Sequence, residues 1–328
     1  MNRRIWKALG IAVCMLALAA PRAMAETKVH TVTADTDFAK VVKTINASNV
    51  EDENVIELCA DITLTGEHTL KRNTTIKSKD ENRKISINGS NDPNAGITVT
   101  GEETVLNLGV NGYDKKLTIE GDTGVAFITV SGGATANMYE NVTLQNRQST
   151  GNACVVIMNP NSVFNMHGGV IEKCSSAVMA DSGTTFNMSG GEIRNCVSMN
   201  DGGGLYADNS AITINKGTIS GCEAGAGGGL FVDSSTVRIS GGIISGCTTS
   251  DTGNGGGLYA KNSTLNISGG TIKGNKAAHG GGVALVGVTT FEKPITNWTV
   301  IGNEAYKTKS GSGNGGIGTG DGRVCIPH

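Results

Sequence analysis

The chain has 328 residues, of which 38% are hydrophobic, and a formal net charge of −2. This near-neutral balance gives no reason to expect nucleic acid or an anionic membrane as a partner, because both attract basic surfaces. Glycine accounts for 48 residues, about twice its usual share. Alternating Val, Ile and Leu residues can nevertheless bury an axial core, which argues against disorder as the explanation of this composition.

Residues 1–25 have the composition of an export signal. A basic start precedes the apolar run Ala8–Ala20, and Ala23–Ala25 offers a small-x-small cleavage site. The apolar run is too short to span a bilayer comfortably, although an anchored segment is the alternative. We therefore expect an exported bacterial protein, secreted or held at the cell surface, with no transmembrane segment in the mature chain.

Residues 26–54 are predicted to cap the fold. Within them, Asp35–Ser48 has apolar residues at the three- and four-residue spacing of an amphipathic helix, with Asp35 or Thr36 as the N-cap. The apolar residues are Phe38, Val41, Val42 and Ile45. We expect this helix to close the end of a stacked β-structure, because an open end would expose the core and the strand edges.

Residues 55–303 contain short β-branched segments and no helical runs. The first segments predicted as strands are Val55–Leu64, Thr69–Lys77, Ile85–Asn88, Ile97–Val99, Val105–Leu108, Leu117–Ile119 and Val125–Val130. Turn-forming residues separate several of these segments. Residues 304–328 are predicted as an irregular, Gly-rich tail.

One phrase recurs with small changes from Phe164 to Val283. Its copies are FNMHGGVIEKC, FNMSGGEIRNC, ITINKGTISGC, VRISGGIISGC and LNISGGTIKGN, and their last residues are 22, 26, 25 and 28 positions apart. A period of this size marks a repeat architecture. Three strands and three turns make one coil, and coils stacked about 4.8 Å apart pair each strand with its counterparts. The sequence thus predicts an all-β fold, a three-sheet parallel β-helix of about ten coils.

Three sets of equivalent positions support three sheets. One set contains Val178, Leu205, Leu230, Leu258 and Val283. A second contains Phe164, Phe186, Ile212, Val237 and Leu265. The third, which we call the structural ladder, contains Asn146, Cys174, Cys196, Cys222, Cys247, Asn275 and Asn303.

The structural ladder has three possible roles for its cysteines. Its Asn side chains can bond one another and the backbone, and Cys can take the same place as a small buried hydrophobe. The second role is a pair of disulfides, Cys174–Cys196 and Cys222–Cys247, although Cβ atoms on parallel strands lie slightly too far apart for an unstrained bridge. Catalysis or metal binding is the third. Seven cysteines follow the signal, so at least one lacks an intramolecular partner.

The repeats resemble the right-handed parallel β-helix of the pectin-lyase-like superfamily. Within it, Gly203–Tyr206, Gly228–Phe231 and Gly256–Tyr259 are similar to a GG-[AG]-[IL]-Y segment of bacterial adhesin-like proteins and polymorphic outer membrane protein repeats. Asn275 and Asn303 match the Asn that follows this segment, whereas four coils have Cys there. The resemblance implies a non-enzymatic scaffold that binds a glycan or a host or cell-surface protein, in a fold that also hosts lyases, hydrolases and inert stalks.

An enzyme of this fold needs acidic residues in a cleft. A pectin-type lyase requires acids that bind Ca²⁺ and a base that abstracts a proton, and a glycosidase requires two carboxylates at a defined separation. The regular coils contain few acids, and His167–Gly169 is only a fragment of a Gly-His-Gly pattern. We assign no catalytic residue. A polysaccharide lyase with a cleft between Asn88 and Asn146 is the alternative function, and a stalk without a ligand is a third.

Two rows of outward residues are candidate sites. Met179, Tyr206, Phe231 and Tyr259 are expected to form a ladder of flat faces for sugar rings or a partner's side chains, unless they cover a neighbouring turn or pack in a groove. Three residues after the Leu positions stand Asp181, Asp208, Asp233 and then Lys261. Stacked carboxylates about 5 Å apart could share Ca²⁺, whereas the alternative is strand-ending turns bonded to the backbone. No other cofactor is expected.

Overall fold

Short strands and turns wind around a common axis in the structure, a computed structural model that describes residues 25–89, 95–121, 124–147, 153–287, 289–292 and 297–305. Residues 1–24 of the predicted signal and residues 306–328 of the predicted tail lie outside this range. Each coil gives one strand to each of three main sheets, in which successive strands pair in parallel. The predicted parallel β-helix is therefore confirmed.

The three main sheets, A, B and C, follow one another around each coil. Sheet A contains β1 (Thr27–Val32), β2 (Glu53–Leu58), β5 (Thr74–Ser78), β8 (Val105–Leu108), β11 (Thr135–Met138), β14 (Val163–Met166), β17 (Thr185–Met188), β20 (Ala211–Ile214), β24 (Thr236–Ile239), β28 (Thr264–Ile267) and β32 (Thr290–Phe291). Sheet B contains β3 (Ile62–Leu64), β6 (Arg83–Ile87), β9 (Leu117–Glu120), β12 (Val142–Arg147), β15 (Val170–Cys174), β18 (Glu192–Arg194), β21 (Thr218–Ser220), β25 (Ile243–Ser245), β29 (Thr271–Lys273) and β33 (Thr299–Ile301). Sheet C contains β4 (Glu67–Leu70), β7 (Gly96–Thr100), β10 (Ile128–Ser131), β13 (Val155–Ile157), β16 (Val178–Asp181), β19 (Leu205–Asp208), β23 (Leu230–Asp233), β27 (Leu258–Lys261) and β31 (Val283–Val286).

A fourth, smaller sheet, D, lies between sheets B and C in the later coils. It contains β22 (Glu223–Ala224), β26 (Thr248–Thr249), β30 (Lys276–Ala277) and β34 (Glu304–Ala305). Three sets of positions predicted only three sheets, so sheet D is an addition. The structure also places Glu304–Ala305 in a paired strand rather than in an irregular tail.

The core lies along the axis, because alternate residues of each strand point inward. In β19, Leu205 and Ala207 are fully buried, whereas Tyr206 and Asp208 point outward and are partly exposed. The predicted Leu set pairs in register along sheet C, and the predicted set that begins at Phe164 does so along sheet A. Phe164 and Phe186 stack inside the core with ring centroids 6.0 Å apart.

The N-terminal end is covered by α1 (Phe38–Asn46), which is shorter than the predicted Asp35–Ser48. The N-cap is Asp37, whose carboxylate accepts a hydrogen bond from the Lys40 N–H, rather than Asp35 or Thr36. The helix packs on β4, the terminal strand of sheet C. There the Asn46 amide donates to the Thr69 carbonyl and accepts from the Lys71 N–H. These bonds pair backbone groups at a sheet edge that would otherwise be open.

Strand boundaries in the first coils differ from the predicted ones. The segment Val55–Leu64 forms two strands, β2 and β3, and Thr69–Lys77 falls across β4 and β5. In both cases the chain turns from one sheet to the next without the Gly clusters that mark turns in later coils. Val105–Leu108 has the predicted bounds.

The structural ladder begins at Arg147, so its assignment to Asn146 is wrong by one residue. Arg147 pairs in register with Cys174, whereas Asn146 adopts a left-handed conformation with φ of 62°. That conformation shifts the following side chain into the core. The Arg147 guanidinium is fully buried, where Nε donates to the Val125 carbonyl at 2.6 Å and Nη1 donates to Ser175.

Candidate functional site

The outward face of sheet C brings together both predicted rows. Met179, Tyr206, Phe231 and Tyr259 occupy equivalent positions on β16, β19, β23 and β27. Two residues further along the same strands are Asp181, Asp208, Asp233 and Lys261. Because side chains alternate along a strand, the two rows lie side by side on one face. We call the first row, without Met179, the ring ladder.

The faces of the ring ladder point at one another rather than at solvent. The Phe231 ring is nearly parallel to Tyr206, with centroids 5.2 Å apart, and to Tyr259, with centroids 5.0 Å apart. With a ring on each side, Phe231 is only 8% exposed. The expectation of a series of flat faces available to sugar rings is therefore wrong. In-register strands about 4.8 Å apart favour this mutual stacking.

Tyr206 ends the ring ladder and borders a groove. Its neighbour on the other side is Met179, which has no ring. Both residues line a groove of about 410 Å³, together with Ser176, Asp181, Asn200 and Asp208 on adjacent turns and strands. Asp201, in the turn before β19, also lines it. The groove thus joins an aromatic surface to hydroxyl, amide and carboxylate groups, as ligand sites commonly do.

Glycine residues bring the turns close to the ring ladder. A Cβ on Gly227, which has φ of 60°, would lie 2.4 Å from the Leu230 carbonyl oxygen and 2.7 Å from Cα of Phe231. Only glycine allows this approach in this conformation. The repeated Gly triplet therefore builds one wall of the face beside the rings, in addition to forming the turn.

The second row, which we call the acidic row, contains Asp181, Asp208, Asp233 and Lys261. Its ion pair lies at the Lys261 end. The Lys261 ammonium lies 2.7 Å from the Asp233 carboxylate. Burial alone would raise the pKa of Asp233, but hydrogen bonds from Lys261 and nearby groups and the charge of Lys261 outweigh it, so the pKa is lowered. Asp181 is exposed, and its carboxylate accepts a hydrogen bond from the Ser182 hydroxyl.

The carboxylates of the groove make its electrostatic potential negative around Tyr206. Burial raises the pKa of the Tyr206 phenol, and the charges of Asp208, Asp181, Asp201 and Asp233 raise it further. Among the described residues, no group of three or more His, Cys, Asp or Glu side chains is arranged to hold a metal ion. Binding of Ca²⁺ by Asp181, Asp208 and Asp233 remains a prediction.

A second groove of about 350 Å³ continues the face toward the N-terminal end. It is lined by Thr98, Thr129 and Val156 on β7, β10 and β13, and by neighbouring residues that include Glu67. Val156 is in register with Met179, and the two belong to one small apolar cluster outside the main core. The two grooves therefore lie along one face of sheet C.

The structural ladder is buried inside the coils and does not contribute to this face. Cys196, Cys222 and Cys247 are fully buried and free. Hydrogen bonding to Cys196 and burial raise the pKa of the Cys222 thiol, and bonding to Cys222 and burial raise the pKa of Cys247. The raised pKa keeps the Cys222 and Cys247 thiols protonated and unreactive, as expected for packed side chains and not for nucleophiles.

The disulfide in the structure joins Cys154 to Cys174. Neither Cys174–Cys196 nor Cys222–Cys247 forms, and the candidate of an entirely free thiol stack fails at Cys174. Cys154 precedes β13 and lies outside the structural ladder, so its sulfur approaches Cys174 from the bend that leads into sheet C. Cys59 is free and half-buried, and Cys325 lies outside the described residues.

Glu120, an acid of the irregular coils, is held in an ion pair. Glu120 lies 3.0 Å from the Lys84 ammonium and accepts a hydrogen bond from Gln145 at 2.7 Å. The Gln145 and Lys84 hydrogen bonds lower the Glu120 pKa, which is the wrong direction for a general acid. Residues 90–94 and 122–123 of this predicted lyase cleft lie outside the described part of the chain.

The sequence predicts both outward rows, but it does not predict the turn residues that complete the groove. Ser176, Asn200 and Asp201 lie just before strands of sheet C, in turns of unequal length and composition. The sequence feature that indicates them is the polar pair Asn200–Asp201, which directly precedes a Gly triplet. Its position relative to the rings depends on how the turn folds over sheet C, which periodicity does not specify.

Fold and groove together define the chain as a parallel β-helix with a ring-bordered groove on one outer face. No protein-family model, curated protein or solved structure matches it. In the part of the chain that the structure describes, no helix combines the length and apolar character needed to cross a membrane.

Proposed function

We propose that this protein is an exported, non-enzymatic scaffold of the adhesin-like, pectin-lyase-like type that binds a glycan on the outward face of sheet C. The observation that supports this proposal is the groove beside Tyr206, where one end of the ring ladder meets polar side chains. The apolar face of a sugar ring packs on an aromatic ring, while its hydroxyl groups bond to carboxylates and amides. The export signal supports a secreted or surface location.

The rigid solenoid suits such a role. Each coil is held by backbone pairing to both neighbours, so the groove is preformed and little ordering accompanies binding. The second groove at Thr98 and Thr129 extends the same face. A glycan chain that runs along the coils can therefore contact several of them.

The test is Tyr206→Ala in a glycan-array and calorimetry experiment. We expect the variant to lose glycan affinity by about tenfold or more, because stacking on an aromatic residue contributes about 1–2 kcal/mol. We also expect a small loss of stability, on the order of 1 kcal/mol, because the Tyr206 ring stacks on Phe231.

Tyr139→Ala is the matched control. Tyr139 is also a partly exposed tyrosine, and it stacks on His167 with ring centroids 5.3 Å apart, outside the groove. Its loss should leave glycan binding unchanged. Cleavage of a bound polysaccharide by the wild-type protein would contradict the non-enzymatic proposal, and the absence of binding to any glycan would contradict the binding site itself.

A further inference from the structure

We propose that the groove at Tyr206 is a subsite for a hexosamine whose amino group is free and protonated. This inference rests on the proposed glycan-binding function and specifies its ligand. It follows from three features of the groove: an aromatic side chain on its border, carboxylates that make no ion pair, and a lysine that fills the equivalent place elsewhere in the same row.

The end of the ring ladder at Tyr206 is the place for the sugar. On one side of Tyr206, Phe231 is stacked at 5.2 Å with an interplanar angle of 3°. On the other side, the residue in register is Met179, a flexible unbranched side chain that adapts to what packs against it. Both side chains line the groove of about 410 Å³. A pyranose ring in this groove would lie beside Tyr206 and Met179, at the end of the ring ladder.

The carboxylates of the groove determine which charge on a bound sugar is favourable. Asp181, Asp201 and Asp208 all line the groove. The ion pairs of the described residues include none of these three. A uronate, a sulfated sugar or a sialic acid would place a second negative charge beside them and be repelled. An ammonium group would be attracted and could donate charge-assisted hydrogen bonds.

The same row already contains such an ammonium. At its far end, the Lys261 ammonium lies 2.7 Å from the Asp233 carboxylate, on the strands that carry Tyr259 and Phe231. Asp181 and Asp208 have the equivalent relation to Met179 and Tyr206, but no lysine is in register with them. Neighbouring positions in a row are about 4.8 Å apart, so one ammonium can lie between two carboxylates. The chain supplies a cation to one end of the row and leaves the other end for a ligand.

The experiment is calorimetric titration of the full chain with three tetrasaccharides. These are glucosamine, N-acetylglucosamine and galacturonic acid tetramers, at a mildly acidic pH where aspartates are ionised and the sugar amine is protonated. We expect the free-amine tetramer to bind about tenfold tighter than the acetylated one. We expect no detectable binding of the galacturonate tetramer.

Two variants and one control assign the effect to the groove. Asp181→Asn with Asp208→Asn should remove the roughly tenfold preference for the free amine. Asp80→Asn, an exposed aspartate near Lys115 and away from sheet C, should retain it. Met179→Phe puts a larger, rigid ring on the border of the groove and retains every carboxylate, so it should abolish binding without loss of stability.

Each other result has a defined meaning. Equal affinity for the amine and acetylated tetramers would overturn this inference and leave the proposed function intact. No binding of any of the tetramers, together with a blank glycan array, would overturn both. A lysine-rich peptide that binds tighter than the free-amine tetramer would assign the groove to a protein ligand and overturn the hexosamine subsite.

Discussion

The buried Asn275 side chain satisfies backbone groups of the preceding coil. Its side-chain oxygen accepts a hydrogen bond from the Cys247 N–H at 2.8 Å, and its amide donates to the Ile244 carbonyl at 3.1 Å. The same amide donates to Asn303 at 2.9 Å. The side chain is fully buried, so its hydrogen-bond partners are shielded from bulk solvent.

We expect Asn275→Ala to lower the free energy of unfolding by about 2–4 kcal/mol, because at least two buried polar groups lose their partner. Chemical denaturation of the two proteins measures this difference. Asn266→Ala is the control, because Asn266 points outward and bonds the exposed Glu292. An equal loss of about 2–4 kcal/mol in the control would show that the effect does not depend on the buried hydrogen bonds of Asn275.

At the scale of the element, the Gly triplets are sites of close packing between coils. A Cβ on Gly229 would lie 2.5 Å from the Gly257 carbonyl oxygen and 2.8 Å from Cγ2 of Ile244. The first contact is with backbone of the next coil, which is fixed by strand pairing. This contact explains why the second and third glycines recur although they do not need a positive φ.

We expect Gly229→Ala to destabilise the protein by about 1–3 kcal/mol through overpacking. Thermal unfolding followed by circular dichroism measures the change. Gly124→Ala is the control, because nothing lies within 4 Å of the position of its Cβ. If both substitutions have the same effect, the cost arises from the unfolded chain and not from the contact between coils.

The repeat predicts the strands best in the coils where glycines mark the turns at regular positions. Leu205, Leu230 and Leu258 follow Gly pairs and are in register, because each Gly pair ends a turn at the same point of the coil. In the first coils, β2 and β3 were predicted as one strand, since no glycine marks the corner at Cys59. The two-residue strands of sheet D are too short to show an alternation.

The sequence predicts which residues form the two outward rows, but it does not predict how their side chains are arranged. Alternation from Leu205 places Tyr206 outward, and the structure agrees. Alternation does not determine whether a ring lies flat on the surface or turns toward the next coil, because that depends on side-chain torsion angles and on the 4.8 Å spacing of the coils. The Cys154–Cys174 disulfide could not be predicted for a related reason, since Cys154 stands outside the repeat.

At the scale of the whole molecule, the coils contact only their neighbours, so the two ends have the fewest stabilising contacts. At the N-terminal end, Phe38 of α1 packs edge-on against His68 of β4, with ring centroids 5.0 Å apart. His68 is 8% exposed. Burial lowers its pKa, although the charges of Asp37 and Glu67 act in the opposite direction.

This lowered pKa makes the cap sensitive to acid. In the unfolded chain, His68 binds a proton below its ordinary pKa of 6.5, whereas the folded chain resists protonation until a lower pH. Stability is therefore complete above about pH 6.5 and falls as the pH decreases toward the folded pKa. We expect amide exchange in α1 and β4 to accelerate as the pH falls from about 6.5 to about 5.5, after correction for intrinsic rates, while β19 to β24 remain protected.

His68→Leu should remove this pH dependence, and His167→Leu, which changes an exposed histidine on another coil, should retain it. Hydrogen exchange followed by mass spectrometry resolves the two ends from the centre. Uniform acceleration along the chain would contradict a local effect of the cap.

The rows keep the same register from coil to coil. The number of coils can therefore change without any change in the residues that line the groove. Residues 230–257 make one complete coil between two equivalent leucines. A duplicate of this segment, inserted after itself, would add one member to every row and leave Met179, Tyr206 and Asp208 in place. Each added coil would move the C-terminal end about 4.8 Å farther from the groove. The reach of such a protein is thus adjustable by whole coils, without any change in the ligand that it selects.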